Sequence, residues 1–422
     1  MNFVVFAPNP WHDIWRNRQQ IFGRLAARHR VLYLEPARAS LADWRRGRVA
    51  LNDVRRPAVI EELPNLWLYR IPAALPSRDT GGVFDRLSDR LLAAHLRRTL
   101  RRLGLLGSPS PYPPPPTPHP PVLWLYRPTQ WRWAADSIPH SLLIYHITDD
   151  YTAFGHLSAA ERDAMATTER DLLAAADLTI VTAPRLLELK RPHARRVELV
   201  PNGVDFEAFQ RALALPRSLP QLEALQPSLA YPQNRRAFGP MPRAPHPILG
   251  YSGHVSSRLD LLLLRELALA RPDWQFAFAG SEDTHGCEAE LAALKALPNV
   301  HVLGVLPIED VPHFITACDV CLIPYRLTDE TRAISSLKLY EYLAAGKPVV
   351  SARVPAAEEY DAAVEIADGD VDSWLVSLTR SLASARDAEA GAARRAIAAA
   401  NTWDARVQQI EALLADVQRS AA

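Results

Sequence analysis

Residues 334–352 read Ile-Ser-Ser-Leu-Lys-Leu-Tyr-Glu-Tyr-Leu-Ala-Ala-Gly-Lys-Pro-Val-Val-Ser-Ala, which predicts a loop, a short helix and a strand in that order. Leucine, alanine and glutamate favour a helix over residues 337–345, and the two serines before it offer an N-cap. Gly346 can take the left-handed conformation that ends a helix, and Pro348 prevents the helix from resuming. The two valines that follow begin a buried strand.

Lys338 lies in the first turn of this predicted helix, where a cation opposes the helix dipole. The conflict disappears if a diphosphate binds there, because the ammonium and the unpaired backbone N–H groups would then hold one anion together. Glu341 follows on the same face of the helix, and its carboxylate could accept two neighbouring hydroxyls of a ribose. The pair therefore predicts half of a nucleotide-diphosphate site.

The chain has only four lysines against 44 arginines, and two of the four fall in this stretch. A lysine kept where arginine is so strongly preferred suggests a site that needs a compact point charge. For an isolated Lys-x-x-Glu pair the alternative is an ordinary solvated charge with a neighbour, so the assignment depends on the rest of the sequence.

Charge is unevenly spread along the 422 residues, although the net charge is only +1 and makes no case for nucleic acid. Residues 1–110 carry a net +10, which suggests an anionic partner there, either a membrane surface or phosphate-bearing substrates. Within residues 91–106, leucines alternate with arginines at helical spacing. This segment is either an interfacial helix on an anionic membrane or an ordinary surface helix of the domain.

Three cysteines fit a reducing compartment, and no run of about 18 apolar residues predicts a spanning helix. Cys318 and Cys321 precede or begin an apolar run, so we expect buried thiols and no zinc site. The first residues are typical of a strand and not of a signal peptide. We therefore expect a cytoplasmic protein, with peripheral association to the inner face of the plasma membrane as a further hypothesis.

Alternating strand and helix patterns predict two βαβ domains of the α/β class, each with a parallel sheet. Residues 1–205 form the first domain, with a proline-rich insertion at 108–121, and the terminal helix 403–422 is expected to rejoin it. Residues 206–247 are a predicted proline-rich linker or insertion, and residues 248–402 form the second domain.

Ligands of open α/β sheets lie off the carboxyl ends of the strands. Five polar or aromatic side chains after the first strand are therefore expected near a cleft: Asn9, Trp11, His12, Arg16 and Arg18. Asp149 and Asp150 follow another strand. One of them could orient an acceptor hydroxyl, or the pair could cap the helix that starts near Ser158 or form a turn.

Several stretches together resemble the GT-B glycosyltransferases of glycosyltransferase family 4, the group 1 type. They are Val-Pro-Asn-Gly-Val-Asp at 200–205, Asn-Val-His-Val-Leu-Gly at 299–304, Cys-Asp-Val-Cys-Leu-Ile-Pro at 318–324 and the stretch 338–350. Arg-Gln-Gln-Ile-Phe-Gly-Arg-Leu-Ala from Arg18, and His-Ile-Thr-Asp-Asp-Tyr at 146–151, are similar to the teichuronic-acid and exopolysaccharide branch. The resemblance implies two Rossmann-like domains whose parallel sheets face each other across a cleft.

The resemblance also implies a retaining hexosyltransferase that uses a nucleotide-diphosphate sugar as donor, a glycan or lipid-linked acceptor, no cofactor and no metal. Lys338 would contact the donor diphosphate and Glu341 the ribose, while backbone near Val305 and Leu306 would meet the base. The expected donor site comprises Gly253, Arg258, Val305, Ser335, Ser336, Lys338, Leu339 and Glu341. The residues expected to act in catalysis are Lys338, Arg258, Asp149 and Asp150.

One position departs from the family pattern, which places a second glutamate eight residues before Glu341, where this chain has Ala333. The departure leaves the donor-sugar contact open. It also keeps two other functions in view: a non-catalytic nucleotide-sugar-binding relative, and a nucleotide-sugar 2-epimerase.

Overall fold

The structure is a computed structural model that describes residues 1–13, 15–36, 57–72, 83–106, 120–150, 158–217, 219, 246–335 and 337–421. Two compact units contain all of them. The first unit consists of residues 1–201 and 406–422, and the second of residues 202–405. Each unit is built around one twisted α/β sheet.

The first unit has an eight-stranded sheet with the order β3-β4-β2-β1-β5-β6-β7-β8. The strands are Asn2–Phe6 (β1), Arg30–Leu34 (β2), Val59–Leu63 (β3), Leu66–Tyr69 (β4), Val122–Leu125 (β5), Leu142–Ile147 (β6), Leu178–Val181 (β7) and Val197–Leu199 (β8). All neighbours pair in parallel except β3 with β4. From β4 to β7 the order is that of a Rossmann fold, so the predicted fold class is confirmed for this unit.

The edge hairpin β3–β4 corrects the expectation of purely parallel pairing. β3 was missed because its sequence, Val-Ile-Glu-Glu-Leu, lacks the apolar run of a central strand. The turn does carry a signal: Pro64 and Asn65 separate the strands, and Asn65 has a φ of 66°. Asparagine tolerates this left-handed conformation better than most residues, which suits a tight hairpin.

Helices cover the faces of the first sheet, and their packing decides between the two interpretations of the arginine-rich segment. They are Asn17–Leu25 (α1), Val83–Arg102 (α2), Trp131–Ser137 (α3), Ala159–Ala175 (α4) and Pro184–Lys190 (α5). In α2, Leu92, Leu96 and Leu100 are buried in the unit, and Leu91 is exposed. The leucine face that an interfacial helix would insert into lipid is therefore already packed, which favours the ordinary surface helix.

The second unit has a six-stranded sheet in which all neighbouring strands pair in parallel, with the order β11-β10-β9-β12-β13-β14. The strands are Ile248–Ser252 (β9), Gln275–Ala279 (β10), Val300–Gly304 (β11), Val320–Ile323 (β12), Val349–Ser351 (β13) and Glu365–Ile366 (β14). This is again the Rossmann order. Its buried strands are rich in valine, leucine and isoleucine, as expected for a sheet covered on both faces.

The described chain has ten further helices, and the first of them lies where a linker was predicted. They are Phe206–Ala214 (α6), Leu261–Ala270 (α7), Glu288–Lys295 (α8), Val311–Ala317 (α9), Asp329–Arg332 (α10), Leu337–Ala344 (α11), Pro355–Glu358 (α12), Val371–Ala383 (α13), Ala388–Ala400 (α14) and Trp403–Ala421 (α15). The expected linker at 206–247 begins instead with α6, capped by Asp205. The alanine-rich segment 370–398 lies in two helices, α13 and α14, because Asp387 caps the second of them.

The terminal helix α15 belongs to the first unit from Arg406 onward. In that unit, Arg196 contacts Asp416 at 2.7 Å, and His29 contacts Glu411 at 2.8 Å. Most of the proline-rich insertion and of the linker, together with Tyr151 and Ser336, lies outside the described residues. Among those that are described, no helix is both long and apolar enough to cross a membrane.

A buried ion network fixes α5 against α4 and the end of β6. Lys190 has a side chain that is 7% exposed, and its ammonium donates to Glu169 at 2.8 Å and to Asp150 at 3.1 Å. Glu169 also accepts a hydrogen bond from Tyr145. Desolvation lowers the pKa of Lys190, but the two carboxylates together outweigh it and leave the pKa raised. The network keeps this lysine charged in the interior.

We predict that Lys190→Met destabilises the protein by about 3 to 5 kcal/mol, because two carboxylates are left buried without their cation. Denaturant unfolding would measure the change. Lys295→Met is the matched control: Lys295 is in an exposed pair with Glu282, so its loss should cost less than about 1 kcal/mol. Replacing Asp150 and Glu169 by Asn and Gln in the Lys190→Met protein should restore part of the lost stability. Equal effects of the two lysine variants would contradict the assignment.

Candidate functional site

The candidate site of the second unit lies where its strand order reverses. From β9 the chain moves to β10 on one side, and β12 lies on the other side, so β9 and β12 flank the switch point of the sheet. Loops after these strands meet there: Arg326 N–H donates to the Arg258 carbonyl at 2.9 Å, and Leu259 forms a bridge with Tyr325. Ligands of open α/β sheets bind in the crevice at this point.

Lys338 brings a positive charge to this crevice from the first turn of α11. Its ammonium donates to the Tyr325 hydroxyl at 2.6 Å and lies over the rings of Tyr251 and Tyr325, 5.3 and 5.1 Å from their centroids. A ring and a neutral hydroxyl orient an ammonium without neutralising it. The unpaired N–H groups at the start of the same helix add to the positive field. The arrangement suits an anion with several acceptor oxygens.

Gly253, in the loop after β9, lets the backbone pass close to this lysine. Its φ is +143°, and a Cβ placed on it would come within 2.9 Å of Lys338 Cε and 3.1 Å of the Tyr251 hydroxyl. Any other residue would therefore be strained and would push the lysine aside. Gly253 thus brings its backbone close to the Lys338 side chain, and its contact with a donor stays a prediction.

Glu341 lies one turn after Lys338, as the sequence spacing predicted. Burial raises the pKa of its carboxyl to about 7, and the charge of Lys338 partly offsets the rise. The residue as a whole is partly exposed. Within the described residues the carboxyl has no hydrogen-bond partner in the protein. A desolvated acceptor at the edge of a crevice suits hydroxyl donors such as those of a ribose.

Arg258 is placed beside Glu330, not open to the crevice as a separate charge. Its Nε and Nη2 atoms donate to Glu330 Oε1 at 2.8 and 2.5 Å. This contact ties the loop after β9 to the short helix α10, which contains Glu330. Ala333, at the end of α10, is buried. The acidic side chain nearest to Ala333 in the chain is thus engaged with Arg258, and an arginine contact to a diphosphate would have to compete with it.

The other predicted donor-site residues occupy different environments. Val305 follows β11 and is 60% exposed, so an apolar surface is available at this strand end. Leu339 is buried in the core, which leaves only its backbone N–H for a ligand. Ser335 accepts hydrogen bonds from Asn202, one on its hydroxyl and one on its carbonyl. Ser336 lies outside the described residues.

Two aromatic residues of the crevice were missed by the sequence analysis. Tyr251 and Tyr325 are both almost fully buried, and burial together with Tyr325 raises the pKa of Tyr251 well above its usual range. A tyrosine at the end of each apolar strand was the available signal, since such a residue combines an apolar ring with a polar tip at the sheet edge. The Lys338 ammonium lies over both rings.

The two aspartates of the first unit have different partners. Asp150 is part of the ion network of Lys190, which gives it a structural role and leaves no support for its use toward an acceptor. Asp149 accepts a hydrogen bond from Thr148 at 3.0 Å and is partly exposed. The suggestion that either caps the next helix is wrong, because Ser158 caps it in a box with Glu161.

In the described part of the chain, no three His, Cys, Asp or Glu side chains are placed together to hold a metal ion. Cys318 and Cys321 are buried free thiols, as expected, and burial raises the pKa of Cys321. The positive charge available to an anion at this crevice comes from Lys338 and the helix start.

Comparison with known proteins agrees with this geometry. Residues 246–384 match the family model described as "Glycosyl transferases group 1". The chain is also similar to TuaH of Bacillus subtilis (strain 168), which is named as a teichuronic acid biosynthesis glycosyltransferase, with 29% identity over 219 residues. That match covers 51% of this chain and 50% of the relative, so it spans about half the length of TuaH.

Two solved structures resemble the fold of nearly the whole chain. HepE (Alr3699) of Anabaena, solved in complex with UDP and glucose, has a TM-score of 0.64 and 14% identity, covering 99% of this chain and 100% of HepE. WaaG, a glycosyltransferase involved in lipopolysaccharide biosynthesis, has a TM-score of 0.60 and 14% identity, covering 97% and 98%. The chain therefore has the GT-B fold, and residues 246–384 of its second unit are similar in sequence to group 1 glycosyltransferases.

Proposed function

We propose that the protein is a glycosyltransferase that moves a sugar from a nucleotide-diphosphate sugar to a glycan or lipid-linked acceptor. The product would be a bacterial surface polysaccharide or exopolysaccharide. The observation that carries the proposal is the cation of Lys338 at the start of α11, beside Gly253, with the Glu341 carboxyl one turn away. The match to TuaH supports the cell-surface role, and the HepE complex supports UDP as the nucleotide.

Charge development on the leaving diphosphate is the step that this site would assist. As the bond between the sugar and the diphosphate breaks, negative charge grows on the phosphate oxygens. The Lys338 ammonium is held in position by Tyr251 and Tyr325 before the reaction begins, and the N–H groups of α11 are fixed by the helix itself. Such preorganised charges stabilise a transition state more than they stabilise the substrate.

Retention of configuration and independence from metals are the finer parts of the proposal. Retention follows from the resemblance to the family alone. In a front-face reaction the departing phosphate oxygen would take the proton of the acceptor hydroxyl, which needs no enzymic nucleophile. A metal is not required where Lys338 and the helix start together neutralise the diphosphate.

The first test is calorimetric titration of UDP, GDP and dTDP into the purified protein with EDTA present. We expect micromolar binding of one nucleotide, with UDP the first candidate, and binding at least about tenfold weaker in Lys338→Ala because a charge-assisted contact is lost. In a transfer assay the same variant should lose at least about 2 kcal/mol of transition-state stabilisation.

Lys347→Ala is the matched control, because Lys347 follows the other end of the same helix. It should bind nucleotide like the unmodified protein. Equal weakening in the two variants, or full affinity in Lys338→Ala, would refute the assignment of the diphosphate contact.

We also predict that nucleotide affinity rises with pH up to about 7 and then levels off. Ribose hydroxyls donate to an ionised carboxylate, so binding favours the deprotonated form of Glu341, whose pKa in the free protein is raised to about 7. Below that pH a proton must be released on binding, and affinity falls by at most about tenfold per pH unit.

Calorimetry in buffers of different ionisation enthalpy would count the released proton. Glu341→Gln supplies the control: the phosphates of the ligand titrate equally with both proteins, so the difference between them isolates Glu341. Parallel pH profiles for the two proteins would show that Glu341 does not accept the ribose hydroxyls.

The non-catalytic alternative has one specific observation in its favour. Ala333 is buried and occupies the position of the first glutamate of the family's pair, eight residues before Glu341. Incubation of the donor sugar with a panel of glycan and lipid-linked acceptors separates the possibilities. Transfer supports the proposed enzyme. Nucleotide binding without transfer or donor hydrolysis supports a binding subunit, and conversion of the donor alone to another sugar supports the 2-epimerase.

A cytoplasmic site of action, at the inner face of the plasma membrane, belongs to the same proposal. Its support is the net charge of +10 in residues 1–110, since the apolar face of α2 is packed inside the unit. Arg98, Arg101 and Arg102 remain on the exposed side of that helix. Attraction of this kind would be electrostatic and would weaken with salt.

A further inference from the structure

Arg18 is a buried charge in the first unit that has no hydrogen-bond or ion-pair partner among the described residues. Its side chain lies in the first turn of α1, and the residue is 4% exposed. The Nε and Nη1 atoms are fully buried and make no hydrogen bond. Burying a guanidinium without a counter-ion lowers the stability of the fold by several kcal/mol. Such a group in a folded protein therefore indicates a function other than stability.

The acidic groups of the neighbourhood are engaged elsewhere. Burial raises the pKa of the Tyr33 hydroxyl; the charge of Arg18 opposes the rise, while Glu35 and Asp13 add to it, so these charges lie near one another. Glu35, however, accepts from Arg70 at 2.6 Å and from the Trp11 N–H at 2.9 Å. Asp13 accepts from the Asn9 side chain at 2.8 Å. The protein thus satisfies these carboxylates without using Arg18.

Near Arg18 lie further buried polar atoms that make no hydrogen bond. Its guanidinium lies 5.4 Å from the centre of the Tyr126 ring, and that ring stacks on His146 with centroids 5.0 Å apart. Neither ring nitrogen of His146 has a hydrogen-bond partner, and the same is true of Nε1 of Trp124, whose ring lies 5.7 Å from that of His146. Arginine and tryptophan only donate, so the missing partner must be an acceptor.

His146 does not supply a competing positive charge. Complete burial lowers the pKa of its imidazole to about 3, and the charge of Arg18 adds to this effect. The imidazole is therefore neutral at physiological pH and offers one N–H donor and one acceptor nitrogen. Arg18 remains the single full charge of this cluster in the described structure, and it is surrounded by aromatic rings that exclude water.

The position of the cluster matches that of the second unit's crevice. β1 and β5 are neighbours in the sheet, while β2 lies on the other side of β1, so they flank the switch point of the first sheet. Tyr126 directly follows β5, and α1 begins after the loop that follows β1. A helix start with a cation in its first turn thus stands at the ligand-binding point of each sheet.

We propose that Arg18 binds an oxyanion, a phosphate or carboxylate group, carried by the acceptor. The oxyanion site is inferred from the geometry of the first unit. Its assignment to the acceptor rests on the proposed function. The planar guanidinium would hold two oxygens of the anion side by side, and the N–H groups of the α1 start face the same edge of the sheet. An acceptor with a phosphoryl group or an acidic sugar would supply the oxyanion.

Thermal unfolding in the presence of inorganic phosphate or acetate tests this site. All proteins would carry Lys338→Ala, which silences the anion site of the second unit, and sodium chloride at matched ionic strength would correct for screening. We expect the melting temperature to rise with phosphate, acetate or both, because a ligand that binds only the folded state stabilises it. A response to phosphate alone identifies a phosphoryl group, and a response to acetate identifies a carboxylate.

Three variants of α1 complete the test. Arg18→Met should abolish the anion response and should melt at or above the parent in anion-free buffer, because a buried unpaired charge is removed. Arg18→Lys should keep a weaker response, since it retains the charge and loses the planar fork. Arg24→Met, on the same helix and bonded to Gln20, should respond like the parent.

An anion response that survives in Arg18→Met, or its absence in the parent, would overturn the inference. A lower melting temperature for Arg18→Met in anion-free buffer would also overturn it, since that result indicates a structural role. These outcomes are independent of nucleotide binding at Lys338. The failure of one site is therefore distinguishable from the failure of the other.

Discussion

The parallel, doubly wound sheet is the constraint on which both candidate sites depend. Because all the central strands run in one direction, their carboxyl ends and the starts of the following helices meet at one edge. At the reversal of strand order the loops part and leave a crevice into which helix dipoles point. In the second unit, Gly253, Tyr325 and Lys338 come together there although 85 positions separate the first from the last in the chain. The chemistry of the site follows from this topology.

Lys190, Lys338 and Arg18 each contact buried groups, and their charges are compensated to different extents. Lys190 is matched by two carboxylates and a tyrosine, which together make a complete structural network. Lys338 contacts two aromatic faces and one hydroxyl, and Arg18, within the described part of the chain, contacts one aromatic face alone. An interior charge that the protein does not compensate is tolerated where a ligand can do so. This difference separates the structural lysine from the two residues assigned to ligands.

Much of the fold was predictable from local pattern because buried parallel strands are short apolar runs with sharp ends. The helix α11 and its end at Gly346, with a φ of +70°, followed from propensity and from glycine's access to the left-handed region. The edge strand β3 was not predictable in the same way, because its pairing depends on β4 and not on its own composition. The break between α13 and α14 was hidden by a continuous alanine-rich sequence and is decided by the cap of Asp387.

In the candidate site too, local spacing was predictable and long-range contacts were not. The spacing of Lys338 and Glu341 sufficed to place them one turn apart, because helix geometry relates residues three positions apart whatever surrounds them. Local sequence could not tell that Asp150 would be taken by Lys190, or that Arg258 would meet Glu330, since these partners lie 40 and 72 positions away. Local sequence also did not reveal that Arg18 would lie buried with no counter-ion among the described residues. Short-range order follows from the sequence alone, whereas burial and long-range pairing exist only once the sheet has brought distant strand ends to one edge.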